Sequence, residues 1–138
     1  MITADSSVWI GYLNGLDTPQ IKALDAALDD SSNEVVLLDV VLMEVLRGFR
    51  HTRELELARK ALAPLPVATA GGETVALEAA ALYRRLRMNG FTVRGPIDLL
   101  VGAWCIRNDC LLIHADRHHD HCYDAMEQLE GLQAWSLQ

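Results

Sequence analysis

The chain has 138 residues, 51% of them hydrophobic, and a formal net charge of −7. That length fits one domain able to close its own core, and nine glycines with four prolines are too few for a disordered or linker-rich array. The longest apolar stretch, VVLLDVVLMEVL, is interrupted by Asp39 and Glu44 and is too short to span a bilayer, and MITADSSVWI lacks a basic n-region and a long apolar h-region, so a soluble cytoplasmic protein with no membrane partner is expected.

Taken in order, Met1–Ala4 reads as a first strand, and SVWIGYLNG as a helix ending at Gly15. Asp17, Thr18 and Pro19 form a cap followed by proline, opening a helix through IKALDAALDD. Val35–Leu38 is a buried strand; Asp39 is read as the cap of DVVLMEVLRGFR, and a further helix runs to about Leu62. A third strand is expected at Pro64–Val67, then an amphipathic helix over Glu73–Asn89, with Leu77, Ala80, Ala81 and Arg84–Arg85 at helical spacing and Gly90 as its stop. Pro96 opens IDLLVGAWCIRN; a strand at Cys110–His114, a helix over about His118–Glu130 and a short strand at Leu132–Trp135 complete the chain. Strands separated by helices of this length indicate a parallel sheet covered on both faces, with ligand sites beyond the carboxyl ends of the strands.

Four acids stand in apolar company. Asp5 directly follows the first strand, and Asp116 occupies the same kind of position after CLLIHA. Asp98 lies in the first turn of an otherwise apolar helix, and Glu44 sits mid-helix in VVLMEVL. Asp5 and Asp116 could serve as N-caps and Asp98 as a first-turn acid favoured by the helix dipole. Glu44 has no capping task, and a carboxylate moved out of water needs a partner, which Arg47 at i+3 could supply. If the four converge, mutual repulsion is relieved most economically by a divalent cation, and all-oxygen ligation selects Mg²⁺ or Mn²⁺ over zinc.

The segments ADSS, EVLRG, IDLLVGA and HADRHHD, in this order, resemble a PIN domain, and more narrowly the VapC-type ribonuclease toxins of bacterial toxin–antitoxin pairs. The resemblance covers nearly the whole chain and implies a single nuclease domain over 1–138, a three-layer α/β/α fold with a central, mostly parallel twisted sheet of four to five strands. It places the catalytic acids at Asp5, Glu44, Asp98 and Asp116, with Asp5, Asp98 and Asp116 as metal ligands and Ser7 as a small polar residue supporting the first aspartate. After the fourth acid the sequence departs from the frequent D-x-D-F: His118 replaces the second aspartate and His119 the aromatic, leaving Asp120 as a substitute one turn on. The implied activity is a Mg²⁺- or Mn²⁺-dependent endoribonuclease that cleaves structured RNA (tRNA or rRNA) by metal-activated water. The implied partners are a cognate VapB-type antitoxin and a second copy of the chain. Trp9, Tyr12 and Leu13 offer apolar surface for the antitoxin, or are ordinary core residues.

Other readings remain open on residues alone. His118, His121 and Cys122 have a spacing that could face a zinc ion, whereas His114 reads as a core residue. The odd set Cys105, Cys110 and Cys122 has no C-x-x-C pair and indicates reduced thiols. Net acidity disfavours nucleic acid as a partner, but ten of the twelve cations are arginines, clustered at RGFRHTR, Arg59/Lys60 and RRLR, where guanidinium forks suit phosphate. A receiver-type phosphoacceptor would also bind Mg²⁺ in an acidic pocket, but neither Lys22 nor Lys60 lies at a late strand end to serve it. A non-catalytic PIN-like scaffold that binds RNA or a protein partner is the remaining alternative.

Overall fold

Short apolar runs form the strands of a computed structural model that describes residues 1–115 and 122–135. Strand β1 (Ile2–Ala4) pairs in parallel with β4 (Leu111–Ile113), and β2 (Leu37–Leu38) with β3 (Val67–Ala68). A parallel bridge between Ile2 and Val35 joins the two pairs, and another between Leu112 and Ala134 adds a last edge. The order is therefore β3, β2, β1, β4 and the Ala134 segment, parallel throughout. Between β1 and β2 the backbone bonds are Ile2 N to Glu34 O at 2.8 Å and Val36 N to Ile2 O at 2.9 Å. Beyond them the buried Thr3 hydroxyl donates to Val36 O at 2.7 Å, so a side chain satisfies a carbonyl at the ladder's end, beside Asp5.

The helices are α1 (Ser6–Leu13), α2 (Pro19–Asp29), α3 (Asp39–Arg47), α4 (Thr52–Leu62), α5 (Glu73–Met88), α6 (Pro96–Arg107) and α7 (Cys122–Glu130). From β1 through β2 to β3 the chain steps one way across the sheet, then returns past them to β4. Right-handed crossovers put α1–α4 on one face and α5–α7 on the other. The contacts agree: α1 packs on α2 and α3, and α3 on α4, while α5, α6 and α7 pack on one another. Helix α3 also meets α6, so the two layers touch where the helices bearing Glu44 and Asp98 approach. The core runs through Val8, Trp9, Leu24, Val41, Leu82, Leu86, Leu112 and Met126. No described helix is long and apolar enough to cross a membrane.

Local signals act where expected at several ends. Thr18 caps α2 by accepting from Ile21 N at 3.2 Å, with Pro19 in the first turn. Gly90, at φ +90°, takes the left-handed turn that ends α5 at little steric cost. All three cysteines are buried.

Elsewhere tertiary packing overrides the local reading. The cap of α3 is Leu38, without a side-chain bond, not Asp39. Asp39 instead accepts from Val40 N and Ala70 N, each at 2.8 Å, tying α3 to the loop after β3. Helix α3 stops at Arg47 rather than Arg50, because Gly48, a poor helix former, interrupts it before α4. On α5 the buried stripe is Val75, Ala79, Leu82 and Leu86, whereas Leu77 is 66% exposed. Several rotations of a helix rich in alanine and leucine look apolar, and the neighbours α6 and α7 choose among them. Strand β3 is displaced to Val67–Ala68, and the closing strand shrinks to the Ala134 bridge. Of the helix expected from His118, residues 122–130 form α7; residues 116–121 lie outside the described residues.

Helix α6 is apolar nearly all round, with Val101–Cys105 consecutively buried, because α3, α5 and α7 all contact it. At Gly102 a Cβ would lie 2.2 Å from Met126 Sδ, so the α6–α7 separation depends on that missing side chain.

Candidate active site

Strand order reverses between β1 and β4: one leads to β2 on its left, the other comes from the far side of the sheet. The crevice beyond the carboxyl ends of two such strands is where open α/β sheets bind ligands. Asp5 stands at its floor. Its backbone N–H donates to Ile113 O at 3.0 Å, which joins the ends of β1 and β4. Its side chain caps α1, accepting from Val8 N at 3.1 Å, while Ser7 Oγ donates to the same Oδ1 at 2.8 Å. The capping role expected of an aspartate is thus present, and it holds the carboxylate at the end of β1.

Glu44 reaches this place from α3. Ser6 Oγ donates to Glu44 Oε1 in a short hydrogen bond, linking the glutamate to the residue after Asp5. The i+3 partner Arg47 approaches Oε2 at 3.6 Å. The glutamate side chain is 21% exposed and the arginine side chain 66%, so the ion pair is largely screened and the half-buried Ser6 hydroxyl supplies the firmer orientation.

Asp98 enters from the first turn of α6, where Gly95 is the N-cap and Pro96 opens the helix. Tyr123, on α7 and 2% exposed, donates its hydroxyl to Asp98 Oδ1 at 3.1 Å. Burial, and after it the negative charges of Asp98 and Asp5, push the Tyr123 phenol well above its ordinary value of 10.0. One phenol therefore senses both aspartates, which are 93 residues apart in the chain (98 − 5). His114, the residue after β4, packs its ring on that of Tyr123 with centroids 4.9 Å apart. On the other side of Asp98, a Cβ at Gly95 would lie 2.9 Å from Oδ2.

The structure thus brings Asp5, Glu44 and Asp98 to one end of the sheet through Ser6, Ser7 and Tyr123. Asp116 and Asp120, and with them His118 and His121 of the zinc alternative, lie outside the described residues. Among the described residues no three His, Cys, Asp or Glu side chains are close enough to hold a metal ion by themselves. The donor chemistry nevertheless suits a hard divalent cation: the acids offer carboxylate oxygens, His114 packs its ring against Tyr123, and Cys122 is buried. Asp5 and Asp98 are the described residues that could bind one.

Two contributors escaped the sequence reading. Ser6 was overshadowed by Ser7, although successive helix residues point about 100° apart, so one hydroxyl can turn to Asp5 and the other to α3. Tyr123 carried a readable signal: a phenol within an otherwise apolar buried stripe of Cys122, Ala125 and Met126 calls for a polar partner. The apolar surface of α1 also needs correction. Trp9 is wholly buried, Tyr12 and Leu13 pack partly against the core, and Ile10 is the exposed one.

Comparison with known proteins agrees with this architecture. A family model described as PIN domain matches residues 2–124. A VapC ribonuclease of Mycobacterium bovis and ribonuclease VapC11 of Mycobacterium tuberculosis are each 25% identical over 137 residues, covering 99% of this chain and of the relative. Among solved structures, DNA-bound VapBC2 from Rickettsia felis superposes with a TM-score of 0.75 at 15% identity over 100% of both chains. DNA-bound VapBC from Salmonella typhimurium gives 0.73 at 16% identity over 98% of both. FitAcB from Neisseria gonorrhoeae gives 0.71 at 16%, covering 99% of this chain and 97% of that one. At such identities these structures establish the fold.

Proposed function

The chain belongs to the PIN domain family, and from that premise we propose that it is a Mg²⁺- or Mn²⁺-dependent endoribonuclease toxin restrained by a cognate VapB-type antitoxin. The observation that carries the reading is the bond from the buried Tyr123 hydroxyl to Asp98 at the β1–β4 switch point, near enough to Asp5 for both negative charges to raise that phenol, with Glu44 tied to the residue after Asp5 through Ser6. The ribonuclease names of the two mycobacterial relatives support it.

In this mechanism Asp5, Asp98 and Asp116 would hold the cation and Asp120 would assist. A divalent ion, when bound, lowers the pKa of a water and neutralises charge on the phosphodiester. The protein's part is orientation. Ser7 and the first turn of α1 fix Asp5, and Tyr123 fixes Asp98. Ser6 holds Oε1 of Glu44, leaving Oε2, which Arg47 covers loosely at 3.6 Å, to accept the proton of the attacking water. Water attacks phosphorus and the bond to the 3′ oxygen breaks, the leaving oxygen taking a proton from solvent, to give a 3′-hydroxyl and a 5′-phosphate. The ribose 2′-hydroxyl takes no part in that step, so preference for a structured RNA such as tRNA or rRNA comes from shape and 2′-hydroxyl contacts outside the acids.

The groove between α1 and α4, lined by Leu13, Asn14, Phe49, Glu54, Leu57 and Ala58, supports the antitoxin proposal; Leu57 is exposed in it and Ile10 of α1 is exposed in the adjoining hollow. A homodimer is part of the same proposal. The test is cleavage of total RNA by the purified chain with Mn²⁺, with EDTA, and as Asp98→Asn. Cleavage is expected with Mn²⁺ alone, falling to background in the other two. Cleavage that survives both chelator and substitution refutes the mechanism.

A further inference from the structure

Helices α6 and α7 share a seam with two contacts one turn apart. At one end Tyr123 donates to Asp98; at the other Met126 Sδ lies over Gly102, where a Cβ would meet it at 2.2 Å. Asp98 and Gly102 are four residues apart on α6, and Tyr123 and Met126 three apart on α7, so each pair shares a helix face. The seam holds the phenol against the acid at a fixed distance. His114 braces the ring from the side, its centroid 4.9 Å away and its plane tilted by 42°. The opposite side of the carboxylate is bounded by Gly95, whose missing Cβ would stand 2.9 Å from Oδ2.

We infer that Tyr123 is a positioning residue for metal capture: its hydroxyl fixes Oδ1 of Asp98 while the bare Gly95 leaves room for Oδ2, so the carboxylate meets a cation in one orientation. This rests on the reading of Asp98 as a ligand. A carboxylate swinging freely about its χ angles must be ordered when the ion binds; one already held has less freedom to lose. Partners that orient a ligand in this way typically contribute about 10–100-fold to metal affinity. The hydroxyl can be removed without disturbing the ring, and the room at Oδ2 can be filled from the other side. The backbone of Gly95, at φ −96° and ψ 114°, suits alanine, and the atom in the way is the mobile end of a side chain.

The experiment titrates Mn²⁺ alone, followed by the loss of the free-ion electron paramagnetic resonance signal, into the wild-type chain, Tyr123→Phe, Gly95→Ala and Asp98→Asn. Near-UV circular dichroism in EDTA checks that each retains its packing. Expected are Mn²⁺ binding by wild type, affinity weakened about tenfold in Tyr123→Phe and in Gly95→Ala, and the largest loss in Asp98→Asn. Excess Mn²⁺ restores the RNA-cleavage kcat of Tyr123→Phe, which a purely structural defect would not permit. If Tyr123→Phe and Gly95→Ala bind as tightly as wild type while Asp98→Asn does not, the positioning role is overturned and Asp98 stands as a ligand. If wild type binds no Mn²⁺, or Asp98→Asn binds as well as wild type, the ligand reading fails and takes the inference with it.

Discussion

Gly102→Ala probes the seam that sets Tyr123 against Asp98. The added methyl would sit 2.2 Å from Met126 Sδ and 3.0 Å from its Cε, with Leu82 Cδ2 at 3.9 Å. Ordinary contact between such atoms is about 3.5–4.0 Å, so on the order of 1.5 Å must be found. Met126 is wholly buried and has no solvent to swing into. Overpacking of this kind costs about 1–3 kcal/mol, while alanine in place of glycine inside a helix returns about 1 kcal/mol. The expected net loss is about 1 kcal/mol. Met126→Ala alone should cost about 2–5 kcal/mol as a buried large-to-small change. In the double variant the clash is gone and the helical gain remains, so the two effects should not add: a favourable coupling of about 1–3 kcal/mol is expected, equal to the relieved strain. Urea denaturation of the four proteins in EDTA measures it. Additivity within about 0.5 kcal/mol would refute the claim that Gly102 sets the helix separation.

Ser6→Ala removes the hydroxyl from Glu44 Oε1 and leaves it, among the described residues, with the exposed Arg47 contact, so Mn²⁺-dependent RNA cleavage should fall about tenfold, as for other orienting partners of a metal site. A rate within twofold of wild type in a steady-state assay would remove Glu44 orientation from the mechanism. Alkaline stability provides a second check. The folded-state pKa of Tyr123 is raised, so above pH 10 the unfolded chain loses this proton first; stability is fully present below 10 and declines as pH rises further. The wild type should therefore lose up to about 1.4 kcal/mol per pH unit more than Tyr123→Phe in urea denaturation between pH 10 and 11.5 in EDTA. Parallel pH profiles would contradict a buried phenol beside two carboxylates.

The existence of the four strands and several helix ends were legible because their causes are local. A threonine before Pro19, a glycine free to take positive φ at position 90, and Pro96 at a first turn act within a few residues. Apolar runs spaced by helices imply parallel pairing, since a parallel partner can be reached only through a crossover. Carboxylates in such runs attract notice for the same reason: burial of charge is costly wherever it occurs. What the linear pattern did not contain was which groups meet. The tie from Asp39 to Ala70, the bond from Ser6 to Glu44 and that from Tyr123 to Asp98 span 25 to 38 residues, and for these, as for the stripe that α5 buries, periodicity within one helix says nothing of what lies across from it. The amino-acid order alone determined the parallel α/β class and the candidate acids. Only the packing of α3 on α1 and of α6 on α3 and α7 decided which hydroxyls hold Glu44 and Asp98, because close approach depends on side-chain volumes from separate segments, Gly95 and Gly102 among them.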